Sequence, residues 1–304
     1  MSRESGWTFR NVMICPCLWV HRKGQAMSLR KLPEIQAGRL PSVCAFEPDA
    51  DALERWNAGL SPQAASDNTI TILDVIGEDF WTGGGVTSKR IAAALRAIGS
   101  QDVIVEVNSP GGDFFEGVAI YNALRAHPHK VTVRILGLAA SAASVIAMAG
   151  DEIEIGKAGF LMVHNAWVVA MGNRHDLKDA AETMEPFDDA MATLYADRAG
   201  VEKPRAAEWM DNETWFNGEQ AVEAGLATGF LPADAVSEDK TKAEAAKGVN
   251  ATRRIDARLA KTGMPRSERR ALLADAKGGM QDAAPTVTHD ADEIAALVSG
   301  LFKV

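Results

Sequence analysis

Thr69–Ile76, Val103–Val107 and Val131–Leu136 are short β-branched, apolar runs, each divided from the next by a turn and a stretch with helical periodicity. Strands that recur at this spacing with a helix between them argue for right-handed crossover connections. This alternation commits the chain to an α/β layer rather than a helical bundle or a sandwich. Gly77 stops the first strand, and after Gly83-Gly84-Gly85 a helix capped by Thr87 runs through Ile98, with Ile91, Ala94, Leu95 and Ile98 on one stripe. The second strand ends in Asn108-Ser109-Pro110-Gly111-Gly112, and a helix carrying Val118, Tyr121 and Leu124 follows to Ala126. The third is expected to end in a tight turn, Gly137–Ala140, before a small-residue helix, Ser141–Ala149. Glu152–Ile155 and Phe160–Val163 read as short strands, and 174–199 as a long helix with Pro186 predicting a kink.

The flanks read differently. Residues 1–68 form an N-terminal arm, irregular over 41–68, in which 1–26 reads as an upstream extension of a chain that starts naturally at Met27. Cys15 and Cys17 find no second pair with zinc spacing and are expected to bind no metal. The core spans 69–235, and 236–252, without an apolar stripe over 237–252, is expected to be a solvated linker. A C-terminal helical tail, 253–304, holds two patches, 253–277 and 290–303, the second with Ile294, Leu297, Val298, Leu301 and Phe302 at docking-helix spacing. A net charge of −9 and a pI near 5.3 exclude a global footprint for nucleic acid or anionic membranes. Three cysteines cannot build a disulfide framework, which points to a reducing, cytoplasmic setting.

The chemistry concentrates at the strand ends. Ser141 follows a strand and a small-residue turn at the start of a helix, where free N–H groups and the helix dipole converge. A nucleophile suits that place, since Ala142 N–H can face a developing oxyanion. Gly111 is a candidate second donor, and Gly112 and Asp113 form an edge for pairing an extended peptide. Of six histidines, only His164 ends a buried-looking strand, 23 residues after the serine, and it is the natural base. Taken singly, Ser141 also reads as a helix cap and His164 as a structural histidine. A third member would be a carboxylate, and either Asp211 or Glu213, before the aromatic pair Trp215-Phe216, could fix the imidazole tautomer. Gly83-Gly84-Gly85 lacks the Gly-Lys-Ser/Thr sequel of a phosphate loop, so no ATP site is expected there, and Ser–His chemistry calls for no cofactor.

Taken in order, Asn108–Gly112, Gly137–Ser144, His164 and the run Trp215–Leu226 resemble the ClpP-type serine peptidases over roughly residues 69–232. Asp74–Gly83, His164–Trp167, Glu213–Trp215 and the arginine-bearing tail resemble, within that family, the phage and prophage head maturation proteases. The resemblance implies a crotonase-like spiral of β-β-α units with a protruding handle helix at 174–199 and a neighbouring short strand near Met171-Gly172. It also implies rings, stacked and heptameric, and capsid or scaffold proteins as substrates. Ser141 matches the family nucleophile, His164 its base, and Gly111 with Ala142 the oxyanion hole. The family's acid falls on Glu213, where an aspartate is usual, which leaves Asp211 as the alternative. Two rival readings remain: a non-enzymatic capsid assembly component, and an acyl-CoA enzyme of the crotonase type, which uses carboxylates rather than a Ser–His pair.

Overall fold

The computed structural model describes residues 48–63, 66–168, 170 and 172–281. Over its described residues the arm holds regular structure: Asp49 caps helix α1 (Ala50–Arg55) by accepting from the N–H groups of Asp51 and Ala52, and strand β1 (Leu60–Pro62) follows. Strand β2 (Thr69–Ile72), helix α2 (Ser88–Ile98), β3 (Val103–Ser109), α3 (Phe114–Arg125), β4 (Val131–Ala140) and α4 (Ala142–Ala147) then alternate. Strands β5 (Glu152–Ile155) and β6 (Phe160–Val163) lead to helices α5 (Arg174–Ala199) and α6 (Lys203–Asp211). The chain continues through β7 (Thr214–Asn217), α7 (Gly218–Glu223), β8 (Gly229–Phe230), β9 (Val236–Glu238), α8 (Lys240–Lys261) and α9 (Arg266–Gln281). No helix among the described residues is long and apolar enough to cross a membrane.

The main sheet runs in the order β2-β3-β4-β5-β8, all parallel, in keeping with crossover connections through the helices. Its inward residues, among them Val105, Val107, Val133, Ile135, Ile153 and Ile155, are buried against Ile91, Leu124, Ile146 and Tyr195 of the helices. Each such side chain contributes about 1.5–3 kcal/mol relative to exposure. The expected turn at 137–140 does not form. Strand β4 continues to Ala140 because the backbone of Leu138–Ala140 finds a new partner, pairing in parallel with Phe160–Met162 of β6, while its first half pairs with β5. At the fork sits Gly137, where an added Cβ would lie 2.4 Å from Leu60 Cδ1 and 3.0 Å from Asn108 Oδ1. Strand β7 then pairs antiparallel with β6.

Helix α5 runs unbroken past Pro186. Its second half is docked through Phe187, Met191, Leu194 and Tyr195, whereas the first half, with Leu177 48% exposed, stands out from the body. Residues 164–168 form no strand beside it, Gly172 is exposed in a bend, and Met171 lies outside the described residues.

Both flanks depart from the expected reading. A second apolar cluster joins Ala52, Leu53, Trp56 and Ala58 of the arm to Leu138 and Ala140 of β4, Met162 of β6 and Ala257 of α8. Trp56 Nε1 donates to the carbonyl of Asn108 at 3.0 Å, and Asn108 Nδ2 donates back to the carbonyl of Asn57 at 2.8 Å. The expected linker is instead β9 and the first half of α8, the latter a stretch of good helix formers capped by Asp239. It shows no apolar stripe because residues 240–251 are exposed or half-buried; burial begins at Thr252, and the docked face there carries Arg253 and Asp256 beside Ala257 and Ala260. Arg253 of α8 is buried between Asp79 (2.7 Å) and Asp74 (3.0 Å), and Asp256 pairs with the equally buried Arg269 of α9 at 2.7 Å. The flanks also meet each other, β1 pairing antiparallel with β9. The 1–26 segment with Cys15 and Cys17, and the 290–303 patch, lie outside the described residues.

Burial raises the Asp79 carboxyl's pKa, but hydrogen bonds from Arg253 and Thr82 overcome this and hold it below the ordinary value. Truncating the cation leaves two carboxylates uncompensated. Arg253→Ala is therefore expected to lower the unfolding free energy by about 3–5 kcal/mol in chemical denaturation. A change under about 1 kcal/mol would show that the tail is not coupled to the core.

Candidate active site

Ser141 stands between β4 and α4 with φ 55° and ψ −123°, a left-handed backbone rarely adopted by a residue with a Cβ. Such a conformation costs on the order of 1–3 kcal/mol and persists only where the surroundings impose it. Here they do. Its N–H donates to the Met162 carbonyl at 3.1 Å, and its carbonyl accepts from Ser144 Oγ at 2.6 Å. Because Ser144 donates there, Tyr195 Oη must donate to Ser144 Oγ, at 2.8 Å. Full burial drives the Tyr195 phenol far above its ordinary pKa and outweighs the opposing bond to Ser144, so it stays a donor. The Ser141 side chain caps nothing in α4, and its hydroxyl lies 2.7 Å from Nε2 of His164, at the end of β6. The fork in β4 makes this meeting possible, since it runs the two strands side by side up to both residues.

His164 is buried, and burial pushes its pKa below the ordinary 6.5, against the raising influence of Asp49 and then Glu213, with Lys261 lowering it further. A neutral imidazole at neutral pH is the form that can accept a proton from Ser141. The ring stands between two cavities. One, of about 30 Å³, is lined by Ser141, Ala142, Gly112, Phe114, Trp167 and Met191. The other, of about 400 Å³, is lined by Asp49, Asp211, Glu213, Lys261 and Met210.

Gly111 closes over the serine. Its φ is +87°, and an added Cβ would lie 2.6 Å from the Ala140 carbonyl and 2.8 Å from Ser141 Cβ. Its N–H makes a long 3.2 Å bond to Ser109 Oγ, while Ala142 N–H has no acceptor among the described residues. Gly112, also at positive φ, bridges to Ile76 and lines the smaller cavity. Asp113 does not join this edge. Its carboxylate caps α3, accepting from Phe115 N at 2.9 Å and Glu116 N at 3.0 Å, and its N–H donates to the Ile76 carbonyl.

Neither acid considered from the sequence hydrogen-bonds the His164 ring. Asp211 accepts from Asn165 Nδ2 at 2.8 Å, and Glu213, at φ 46°, lines the larger cavity. Sequence reasoning missed Asp49 and Lys261, which come from opposite flanks, and Asp188, whose Oδ1 accepts from Ala166 N at 2.8 Å. Burial chiefly raises the Asp188 carboxyl, to about 6, with Asp211 adding to the effect. Asp49 had one signal, its place as a cap before a short apolar helix; Asp188, inside a long helix, had none. Among the described residues no group of three or more His, Cys, Asp or Glu is placed to hold a metal.

A strained serine at a strand-to-helix elbow, hydrogen-bonded to a buried histidine beside an N–H with no acceptor among the described residues, is an arrangement in which a Ser–His pair can carry out acyl transfer. Among known families, residues 86–232, which carry both side chains, match the model described as Clp protease. Over 148 residues the chain is 28% identical to the ATP-dependent Clp protease proteolytic subunit 1 of Streptomyces avermitilis, covering 46% of this chain and 68% of that one. Over 131 residues it is 28% identical to the corresponding subunit of Bacteroides fragilis, covering 41% and 62%. The chain thus spans about two thirds of these relatives' length. A ClpP1 mutant from Listeria monocytogenes superposes with a TM-score of 0.46 at 16% identity, over 58% of this chain and 95% of that one.

An NMR titration of the His164 ring is expected to give a pKa below 6.5; a value at or above it contradicts the burial argument. The unfolded chain keeps the ordinary value and binds the proton first, so this group removes stability as pH falls through 6.5. Tyr195→Phe leaves Ser144 Oγ without its donor and is expected to cost about 1 kcal/mol of unfolding free energy. A Tyr195→Phe chain as stable as the parent would show that this hydrogen-bond chain does not hold the elbow.

Proposed function

We propose that this chain is a serine endopeptidase. The 2.7 Å contact between Ser141 Oγ and His164 Nε2 on a strained elbow carries the reading. In the reaction, His164 takes the Ser141 proton as the hydroxyl attacks a peptide carbonyl. Ala142 N–H, together with Gly111 N–H once released from Ser109, stabilises the oxyanion. The protonated His164 then delivers its proton to the leaving amine, and water releases the acyl-enzyme by the same route in reverse. A carboxylate near the ring supports the imidazolium. A substrate strand pairs along Gly112, its side chain entering the small cavity under Phe114 and Met191.

The finer reading is a head maturation protease of phage or prophage type, processing capsid or scaffold proteins within the host cytoplasm or the prohead, with no cofactor of its own. The sequence likeness over 74–83 and 164–167 supports it, as does an appended tail built into the body. Face-to-face association of rings through the projecting half of α5 would cover Leu177, which a monomer leaves exposed.

The test pairs the parent chain with Ser141→Ala, each treated with a fluorophosphonate and each incubated with the structural proteins encoded beside it. Labelling at Ser141 and discrete fragments by intact mass are expected only from the parent, with a loss of about 10⁴-fold or more in the variant. Folded protein that neither labels nor cleaves would sink the enzymatic reading. Cleavage of unrelated proteins but none of the structural proteins would sink the head-maturation reading alone. Sedimentation is expected to show a large ring assembly that Leu177→Glu disrupts; a monomeric parent chain would remove the association through α5.

A further inference from the structure

The reaction needs a carboxylate behind the histidine; the position that the family likeness favours offers Glu213, and no carboxylate among the described residues hydrogen-bonds the ring. The geometry points to a different residue: Asp49, delivered by the arm that precedes the family-matched core, is the positioning acid of His164, and Lys261 at the end of α8 is its counterweight. This assignment rests on the peptidase reading for its catalytic meaning, but not for its electrostatics.

Asp49 is 6% exposed on the wall of the cavity that His164 shares with Asp211, Glu213 and Lys261. Its two oxygens have different duties. Oδ1 accepts from Asp51 N at 2.9 Å and Ala52 N at 3.0 Å, which fixes the carboxyl plane, while Oδ2 is left to Lys261 Nζ at a long 3.5 Å. The helix behind it is registered to the reacting strands. Leu53 and Trp56 pack with Ala140 and Met162, the residues one before Ser141 and two before His164, and Arg55 stacks on Trp215 at 4.4 Å. Glu213 has none of this support: it sits exposed at a left-handed backbone position, with its side chain held by no hydrogen bond among the described residues. Asp211, also exposed, is taken by Asn165.

The charged groups facing His164 are therefore Asp49 from the cap of α1, Glu213 before β7, Asp211 at the end of α6 and Lys261 from α8, with Ser141 on its other side. Of the two carboxylates that raise the ring's pKa, Asp49 has the larger effect, and Lys261 opposes both.

The experiment uses the full chain. Asp49→Asn keeps an oxygen to cap α1 and Asp49→Ser keeps a capping hydroxyl, so both remove the charge without unwinding the helix. Two readouts are taken: the NMR titration of the His164 ring, and the rate of fluorophosphonate labelling of Ser141 against pH. Both Asp49 variants are expected to lower the ring's titration pH by more than Glu213→Gln does, and Lys261→Met to raise it. Labelling on the alkaline plateau is expected to slow about tenfold or more in the Asp49 variants, with the acidic limb moved to lower pH. If the parent does not label but the titration shifts keep this order, the peptidase reading falls and the assignment of Asp49 as the charge behind His164 stands. If Glu213→Gln moves the titration more than either Asp49 variant, or the Asp49 variants leave both readouts unmoved, the assignment is overturned.

Discussion

The structure depends on a short piece of backbone ladder, Leu138–Ala140 of β4 against Phe160–Met162 of β6, closed by the bond from Ser141 N to the Met162 carbonyl. A parallel pair carries both chains in the same direction, so the residue following each strand emerges at the same edge. One is Ser141 and the other, one residue further on, is His164. Everything local to the site then serves to keep that edge in place: Gly137 and Gly111 by having no side chain, Ser144 and Tyr195 by gripping the serine carbonyl, and Asn108 by joining β4 to the arm.

The sequence made much of this frame readable because its signals are local. Thr87 before Ser88–Ile98 and the Val and Ile runs of β3 and β4 state their structure within a few residues. Ser141 and His164 were legible for the same reason, as a serine after a strand and small-residue turn and a histidine at the end of a later strand. Whether Ser141 caps a helix or presents its hydroxyl turns on a positive φ, which depends on Met162 and Ser144 rather than on its neighbours in the chain. The supposed turn at 137–140 had the residues of a turn, yet a partner 22 residues away made it a strand. The acid was the least legible part, because the charges around His164 come from positions 49, 211, 213 and 261, and spacing along the chain says nothing of their convergence.

The flanks teach a complementary lesson about hydrophobic periodicity. Helix α8 gave no docking signal over 240–251 because that half is exposed or half-buried, and where burial begins its face includes Arg253 and Asp256, each matched by a partner outside the helix. Such pairs contribute little net stability compared with an apolar face of the same shape, but they are intolerant of mismatch. They fix which surface the helix meets, and Asp79 and Asp74, at the first loop of the core, thereby hold the tail in one register.

The pairing of β1 with β9, and of Asp49 with Lys261 across 212 residues of sequence, also bears on when the site comes into being. Contacts this remote require the intervening chain to exist and to close a long loop first. A chain still being synthesised already holds Ser141 and His164 well before α8 has been made, and without that helix the surroundings of the ring are unfinished. The wall that Lys261 adds beside His164 arises only when translation has passed the end of α8, so the last part of the charged surroundings to form is supplied by a segment outside the sheet that bears Ser141.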